Sequence, residues 1–267
     1  MPFTDNDGVS LYYEEHGPTD ADPIVFVEGL GYGRWMWRWQ REAFADDYRV
    51  IVWDNRGTGD SDAPDGPYSI EEMAGDLEAV LAAVGVESVH VVGASMGGMI
   101  AQQYALDYNR AQTLSLLCTT PGGDEGVPTP PETQERMFDV PEGCDEREAI
   151  RYKMAPAMTE EFAAEHDDLL SDIVDWRLAG DASDEARGAQ AMGVTNFDAS
   201  DRLGELSLPT LIAHGTADSV LPFENAELLA DRIPHAELEP FEGGPHLFFI
   251  EQSGAVNERL RTFLDDA

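Results

Sequence analysis

Val89-His90-Val91-Val92-Gly93-Ala94-Ser95-Met96-Gly97-Gly98 is the stretch that decides how this chain reads. Its valine-rich start is the continuous apolar run expected of a strand buried on both faces of a parallel sheet. Beyond it, Met99, Ile100, Ala101, Tyr104 and Ala105 recur at helical spacing. Between strand and helix stands Gly93-x-Ser95-x-Gly97. This is the nucleophile-elbow pattern, a tight turn that strains a serine and exposes its hydroxyl. Side chains at positions 93 and 97 would crowd such a turn. Ser95 would open a helix, whose N-terminal dipole favours negative charge developing nearby. The Met96 N–H would point to the place where an oxyanion forms.

A serine hydroxyl is a poor nucleophile until a base takes its proton, and the base needs an orienting acid. In open α/β sheets such groups gather beyond the carboxyl ends of strands, and this turn goes with the chain order serine, acid, histidine. Asp218 lies four residues past a strand that ends at His214, in Gly215-Thr216-Ala217-Asp218. His246 follows the last strand, in Gly243-Gly244-Pro245-His246. Asp54 also ends a strand but precedes the serine, so Asp218 is the predicted acid. His16, His90, His166, His214 and His235 read as structural. The glycine-rich Glu28-Gly29-Leu30-Gly31-Tyr32-Gly33 follows another buried strand. It is the expected source of a second oxyanion donor, the Leu30 N–H.

Strands are predicted at 9–15 (an antiparallel edge strand), 24–27, 48–53, 89–94, 113–118, 210–214 and 236–241. Helices are predicted at 35–44, 70–83, the stretch after Gly98, 223–233 and the C-terminal stretch. Alternation of this kind predicts a mostly parallel sheet with right-handed crossovers. It stops between 119 and 203, a polar, acidic segment with Pro121, Pro128, Pro130, Pro131, Pro141 and Pro156. Helical pieces are expected there at 146–154, 160–178 and 183–192, and no strand. The expected organisation is a core from 1–118 and 204–267 with a helical lid at 119–203. Trp35 and Trp39 share a helical face and are assigned to packing. Arg56 is read as an anchor of its glycine loop, with a substrate carboxylate as the alternative contact for Arg34, Arg38 and Arg56.

Glu28-Gly29-Leu30-Gly31, Asp54-x-Arg56-Gly57-x-Gly59-x-Ser61, Gly93-x-Ser95-Met96-Gly97-Gly98, Gly215-Thr216-x-Asp218-x-x-x-Pro222 and His246 together resemble the α/β-hydrolase superfamily. The nearest likeness is to its small cofactor-free members: enol-lactonase-like enzymes, aryl esterases and non-haem haloperoxidases. The resemblance implies an eight-stranded, mostly parallel sheet with the lid after the sixth strand. It implies a Ser95–Asp218–His246 triad and no metal or organic cofactor. Members often carry His-Gly where this chain has Glu28-Gly29, a departure at the oxyanion loop. Ser95 excludes the aspartate-nucleophile branch. The activity so implied is hydrolysis of small carboxylic esters or lactones. Carbon–carbon bond hydrolysis and perhydrolysis use the same triad, and a non-catalytic receptor or an interaction protein could use the same fold.

A chain of 267 residues fits one α/β domain. No apolar run approaches the length of a membrane span. The opening residues carry no basic segment followed by an apolar core, so a cytoplasmic location is the expectation. Cys118 and Cys144 are expected to be free thiols. The formal net charge of −37 is the outlying number, with acidic residues spread along the chain and Lys153 the single lysine. Nucleic-acid binding needs the opposite surface. Self-repulsion on this scale destabilises a compact state in dilute buffer, whereas at about 1 M salt the Debye length is only about 3 Å. Adaptation to a salt-rich cytoplasm, as in halophiles, is the reading. Thermal unfolding from dilute buffer to multimolar KCl is expected to show a midpoint that climbs with salt; a maximum in dilute buffer would refute it.

Overall fold

In the computed structural model, which describes residues 2–267, Val89–Ala94 (β5) lies near the middle of an eight-stranded sheet. The other strands are Phe3–Asn6 (β1), Val9–His16 (β2), Pro23–Val27 (β3), Arg49–Trp53 (β4), Ala111–Leu117 (β6), Thr210–Gly215 (β7) and Glu237–Phe241 (β8). Their order is β1-β2-β4-β3-β5-β6-β7-β8. β4, β3, β5, β6, β7 and β8 run parallel, and β1 and β2 are antiparallel additions. The predicted strand over 9–15 is antiparallel as expected but is not the edge. Phe3–Asn6 pairs outside it, with Phe3 opposite Tyr12. Four residues with mostly polar side chains are too short a pattern to stand out in the sequence.

Both faces of the parallel strands are apolar because both are covered. Val25, Val27, Ile51, Trp53, Leu114 and Leu116 pack into one core, and Ile24, Phe26, Val50, Val52 and Leu117 into the other. Ile70–Val84 (α2), Met96–Asp107 (α3) and Glu224–Arg232 (α9) close the first. Arg38–Phe44 (α1), Phe248–Glu251 (α10) and Ser253–Asp266 (α11) close the second. A capping box fixes the start of α2, with Glu72 N–H on Ser69 Oγ and Ser69 N–H on Glu72 Oε2.

Between β6 and β7 the chain forms Pro131–Phe138 (α4), Glu146–Met154 (α5), Glu160–Glu165 (α6), Asp167–Gly180 (α7) and Asp184–Asn196 (α8). The helix expected over 160–178 is two, broken at His166, and α4 has no counterpart among the predicted helices. Its prolines are compatible with a helix because Pro131 occupies the first turn, where its missing N–H has no partner to lose. Among the described residues no helix is long and apolar enough to cross a membrane.

The order β4-β3-β5 reverses direction at β3, which opens a crevice beyond the carboxyl ends of β3 and β5. The loop after β4 is held by a buried ion pair. Arg56 donates through Nε and Nη2 to both oxygens of Asp76 on α2, at 2.6 and 2.8 Å. Asn6 Nδ2 adds a bond to Asp76 Oδ1 at 2.8 Å. Removing one partner of such a pair strands a buried charge, at a cost of about 3–5 kcal/mol. Arg56→Met is expected to lose that much in urea unfolding at fixed KCl. The double variant Arg56→Met/Asp76→Leu is expected to recover a large part of it.

Candidate active site

Ser95 joins β5 to α3 with φ 56° and ψ −120°. A non-glycine residue held there costs about 1–3 kcal/mol, and the surroundings impose it. Ser95 N–H donates to Leu117 O at 2.9 Å, and its carbonyl accepts from Gly98 N–H at 2.9 Å and Thr119 Oγ1 at 2.7 Å. The turn also demands a bare backbone behind the serine. A Cβ on Gly97 would sit 2.1 Å from Val27 O, in the end of β3.

Ser95, Met96, Leu30 and His246 line one cavity of about 210 Å³ beyond the strand ends. The N–H groups of Leu30 and Met96 donate to no other group among the described residues. Met96 is the first residue of α3 and so has no partner within its helix. The Leu30 loop is tied down from above: Gly31 N–H donates to Gln190 Oε1 at 2.8 Å, and Ala182 N–H to Gly31 O at 2.9 Å.

Asp218 is fully enclosed and receives four donors. Val220 N–H and Leu221 N–H bond Oδ1 at 2.8 and 2.9 Å. His246 Nδ1 bonds Oδ2 at 2.7 Å, and His214 Nε2 approaches the same oxygen at 3.1 Å. Burial by itself would raise this carboxyl. The His246 charge, with the hydrogen bonds from both imidazoles, outweighs burial and holds Asp218 well below the usual carboxylate range. With Nδ1–H of His246 committed to an ionised acceptor, Nε2 is the nitrogen left for the cavity. The structure thus joins Asp218 to His246 directly and brings Ser95 and His246 to a common cavity. It does not join them by a hydrogen bond: the Ser95 hydroxyl bonds no described residue, and such contacts are often long before substrate binds.

Asp54, the other strand-end acid, has different work. It accepts from Arg34 Nη1, from Arg34 N–H at 3.1 Å and from Asp60 N–H at 3.0 Å, and so pins the loop after β4. Arg34 also pairs with Glu14 and Asp60, and Arg38 stacks on Trp176 at 4.2 Å. Together with the Arg56–Asp76 pair, these contacts leave none of Arg34, Arg38 and Arg56 on the wall of the Ser95 cavity. Trp35 and Trp39 both pack on Trp176, with ring centroids 6.1 Å apart in each case. Glu28 is completely buried with neither carboxyl oxygen hydrogen-bonded, and it does not line the cavity. Burial, then the neighbouring Asp54, push its carboxyl well above the ordinary range.

Three contributors are not legible in the sequence. His214 reads there as structural, yet it buttresses the acid while also donating to Leu221 O at 2.9 Å. Its place four residues before Asp218 at a strand end is the available signal. Arg177 and Arg187 line the cavity from α7 and α8, helices whose acidic faces read as plain solvated surface. No local pattern tells which side of such a helix faces in.

Comparison with known proteins agrees with this architecture. A family model described as the alpha/beta hydrolase fold matches residues 22–141. A protein of Azorhizobium caulinodans that carries the name carbamate hydrolase RutD is 31% identical, over 98% of each chain. The chain belongs to the α/β-hydrolase family. Among solved structures, Est816, titled an N-acyl homoserine lactone degrading enzyme, is similar to this α/β-hydrolase at 33% identity and TM-score 0.83, covering 98% of this chain and 100% of that one. The esterase EaEST of Exiguobacterium antarcticum follows at 28% identity and TM-score 0.86, with 98% of each chain covered.

The buried Glu28 of this hydrolase gives a pH signature. Below a glutamic acid's ordinary 4.5 both folded and unfolded chains carry the proton. As pH rises past that value the unfolded chain releases it and the folded chain retains it. Stability therefore falls by about 1.4 kcal/mol per pH unit until the raised folded-state pKa is reached. Glu28→Gln lacks this loss. Urea melts at fixed KCl are expected to show the two proteins diverging from about pH 5 upward, with the variant the more stable; parallel curves would count against an uncharged buried Glu28.

Proposed function

We propose that this α/β-hydrolase cleaves carboxylic esters or lactones of small molecules through an acyl-serine intermediate. The observation that carries the reading is the Asp218–His246 hydrogen bond, made by a histidine that shares its cavity with a serine at the tip of a strained turn. Leu30 and Met96, whose N–H groups have no acceptor among the described residues, line the same cavity and would supply the place for an oxyanion. The names of the similar proteins, an esterase, a lactone-degrading enzyme and a carbamate hydrolase, describe attack on an acyl carbon.

Ser95 Oγ attacks that carbon while His246 Nε2 takes its proton. Asp218 fixes the imidazole tautomer and offsets the positive charge it acquires. The oxyanion receives the Leu30 and Met96 N–H groups, and one such donor contributes about 2.7–4 kcal/mol to the transition state. His246 then protonates the leaving alkoxide, and water, deprotonated by the same imidazole, releases the acid. With p-nitrophenyl acetate, Ser95→Ala is expected to lower kcat by at least about 10⁴-fold, as loss of a triad nucleophile does. Asp218→Asn is expected to lower it about 10⁴-fold, because the amide holds the wrong tautomer. An undiminished rate for Ser95→Ala would end the proposal.

A further inference from the structure

The cavity that Ser95 lines carries positive side chains in a chain whose formal net charge is −37. Arg177 on α7 is 4% exposed as a side chain. Its Nε donates to Asp181 Oδ2 at 2.7 Å, and its guanidinium carbon lies 4.6 Å from the centre of the Tyr32 ring. Its Nη1 is buried and bonds nothing. Arg187 on α8 lines the same cavity, and its side chain makes neither a hydrogen bond nor an ion pair with any described residue.

Most arginines of this protein are matched to an acid, as fifty-three Asp and Glu side chains make easy. Leaving one bare on a cavity wall beside another is therefore informative. Burial, and next the charge of Arg177, pull Arg187 below arginine's ordinary value, with only partial relief from Asp181 and Asp184. Asp184 is itself shared with Lys153, at 3.7 Å, which also lines the cavity. Three cations thus stand against two carboxylates, an excess of one positive charge. The backbone makes room for it. Gly31 has φ +73°, and a Cβ there would lie 2.7 Å from Arg187 Nε, so a side chain at 31 would evict the guanidinium. The rest of the wall is largely apolar, with Met36, Met99, Leu221 and Phe249 among it.

We propose that Arg177 and Arg187 form a carboxylate subsite, and that the substrate is an ester or lactone with an apolar body and one free carboxylate. The proposal rests on the acyl-serine reading for the reaction and adds the class of molecule. A single carboxylate balances the single excess charge. It accepts from the idle Nη1 of Arg177 and from Arg187, in the fork geometry that guanidinium and carboxylate share. A neutral ester would leave Arg187 without a partner and the buried Nη1 of Arg177 without an acceptor.

The test compares matched esters at one fixed KCl concentration, since chloride screens and competes. Mono-p-nitrophenyl glutarate is set against its methyl ester for a carboxylate on the acyl side. 4-Acetoxybenzoate is set against its methyl ester for one on the alcohol side. In at least one pair the acid is expected to have the higher kcat/KM, by tenfold or more. Arg187→Met is expected to bring that ratio to about one, and Arg187→Lys to keep part of it. No preference for the acid in either pair overturns the subsite. So does an Arg187→Met loss that is equal for acid and methyl ester, which would assign Arg187 to the oxyanion rather than to the substrate's charge. If the wild type hydrolyses no ester, it is the acyl-serine reading that fails. The subsite is then read by glutarate, whose stabilisation of the wild type in thermal unfolding must exceed that of dimethyl glutarate and vanish in Arg187→Met. Equal shifts there would overturn it as well.

Discussion

The first turn of α3 lies directly on the carboxyl end of β3, with no room for a single methyl group at position 97. Most of the active-site geometry depends on this contact. It brings the serine that ends β5 and the loop that leaves β3 to one crevice. Beside it Ser95 sits in a strained conformation held by backbone bonds to Leu117 and Gly98 and by the Thr119 hydroxyl. The sheet must therefore be rigid on both sides, and it is: two separate cores clamp β3 and β5. Strain of about 1–3 kcal/mol is small against burial on that scale.

Two buried carboxylates near the crevice show how surroundings set protonation. Asp218 has four donors, two of them imidazoles, and stays ionised far below neutral pH. Glu28 has no partner for either oxygen, and burial with the nearby Asp54 pushes its carboxyl well above the ordinary range. Both are enclosed to nearly the same degree, so burial does not separate them; the sign of the neighbouring charge, then the hydrogen-bond donors, do. With Glu28 in the place of the family's frequent histidine, the Leu30 N–H still has no acceptor among the described residues and Leu30 lines the cavity.

Charge is distributed with the same economy elsewhere. Arg34, Arg49, Arg56, Arg110, Arg202, Arg259 and Arg261 each hold an acid that lies far away in the chain. On a surface this acidic, most positive side chains find an acidic partner; the exposed Arg136 rests on the Tyr152 ring instead. On the cavity wall α7 and α8 bring two guanidiniums, of which Arg177 holds Asp181 and Arg187 holds no acid. The proposed carboxylate subsite and the proposed tolerance of high salt thus share a cause, an excess of acid outside and a small excess of base within.

Much of this is legible in the linear order of residues. Runs of valine and isoleucine between glycine turns announce a doubly covered parallel sheet, because both faces of each strand must be apolar. The Gly93-x-Ser95-x-Gly97 turn, the aspartate after β7 and the histidine after β8 follow from local strand-end chemistry, which spans only a few residues. The short polar strand β1, the Pro-capped α4 and the break at His166 carry no such signal. Nor could sequence reveal that His214 touches Asp218, that Glu28 has no partner, or that Arg187 has none while Arg56 has two. Those facts depend on which of many similar side chains meet across the fold. Strand and turn formation is decided by neighbours in the chain, whereas pairing, desolvation and the lining of a cavity are decided by packing between segments remote from one another in sequence.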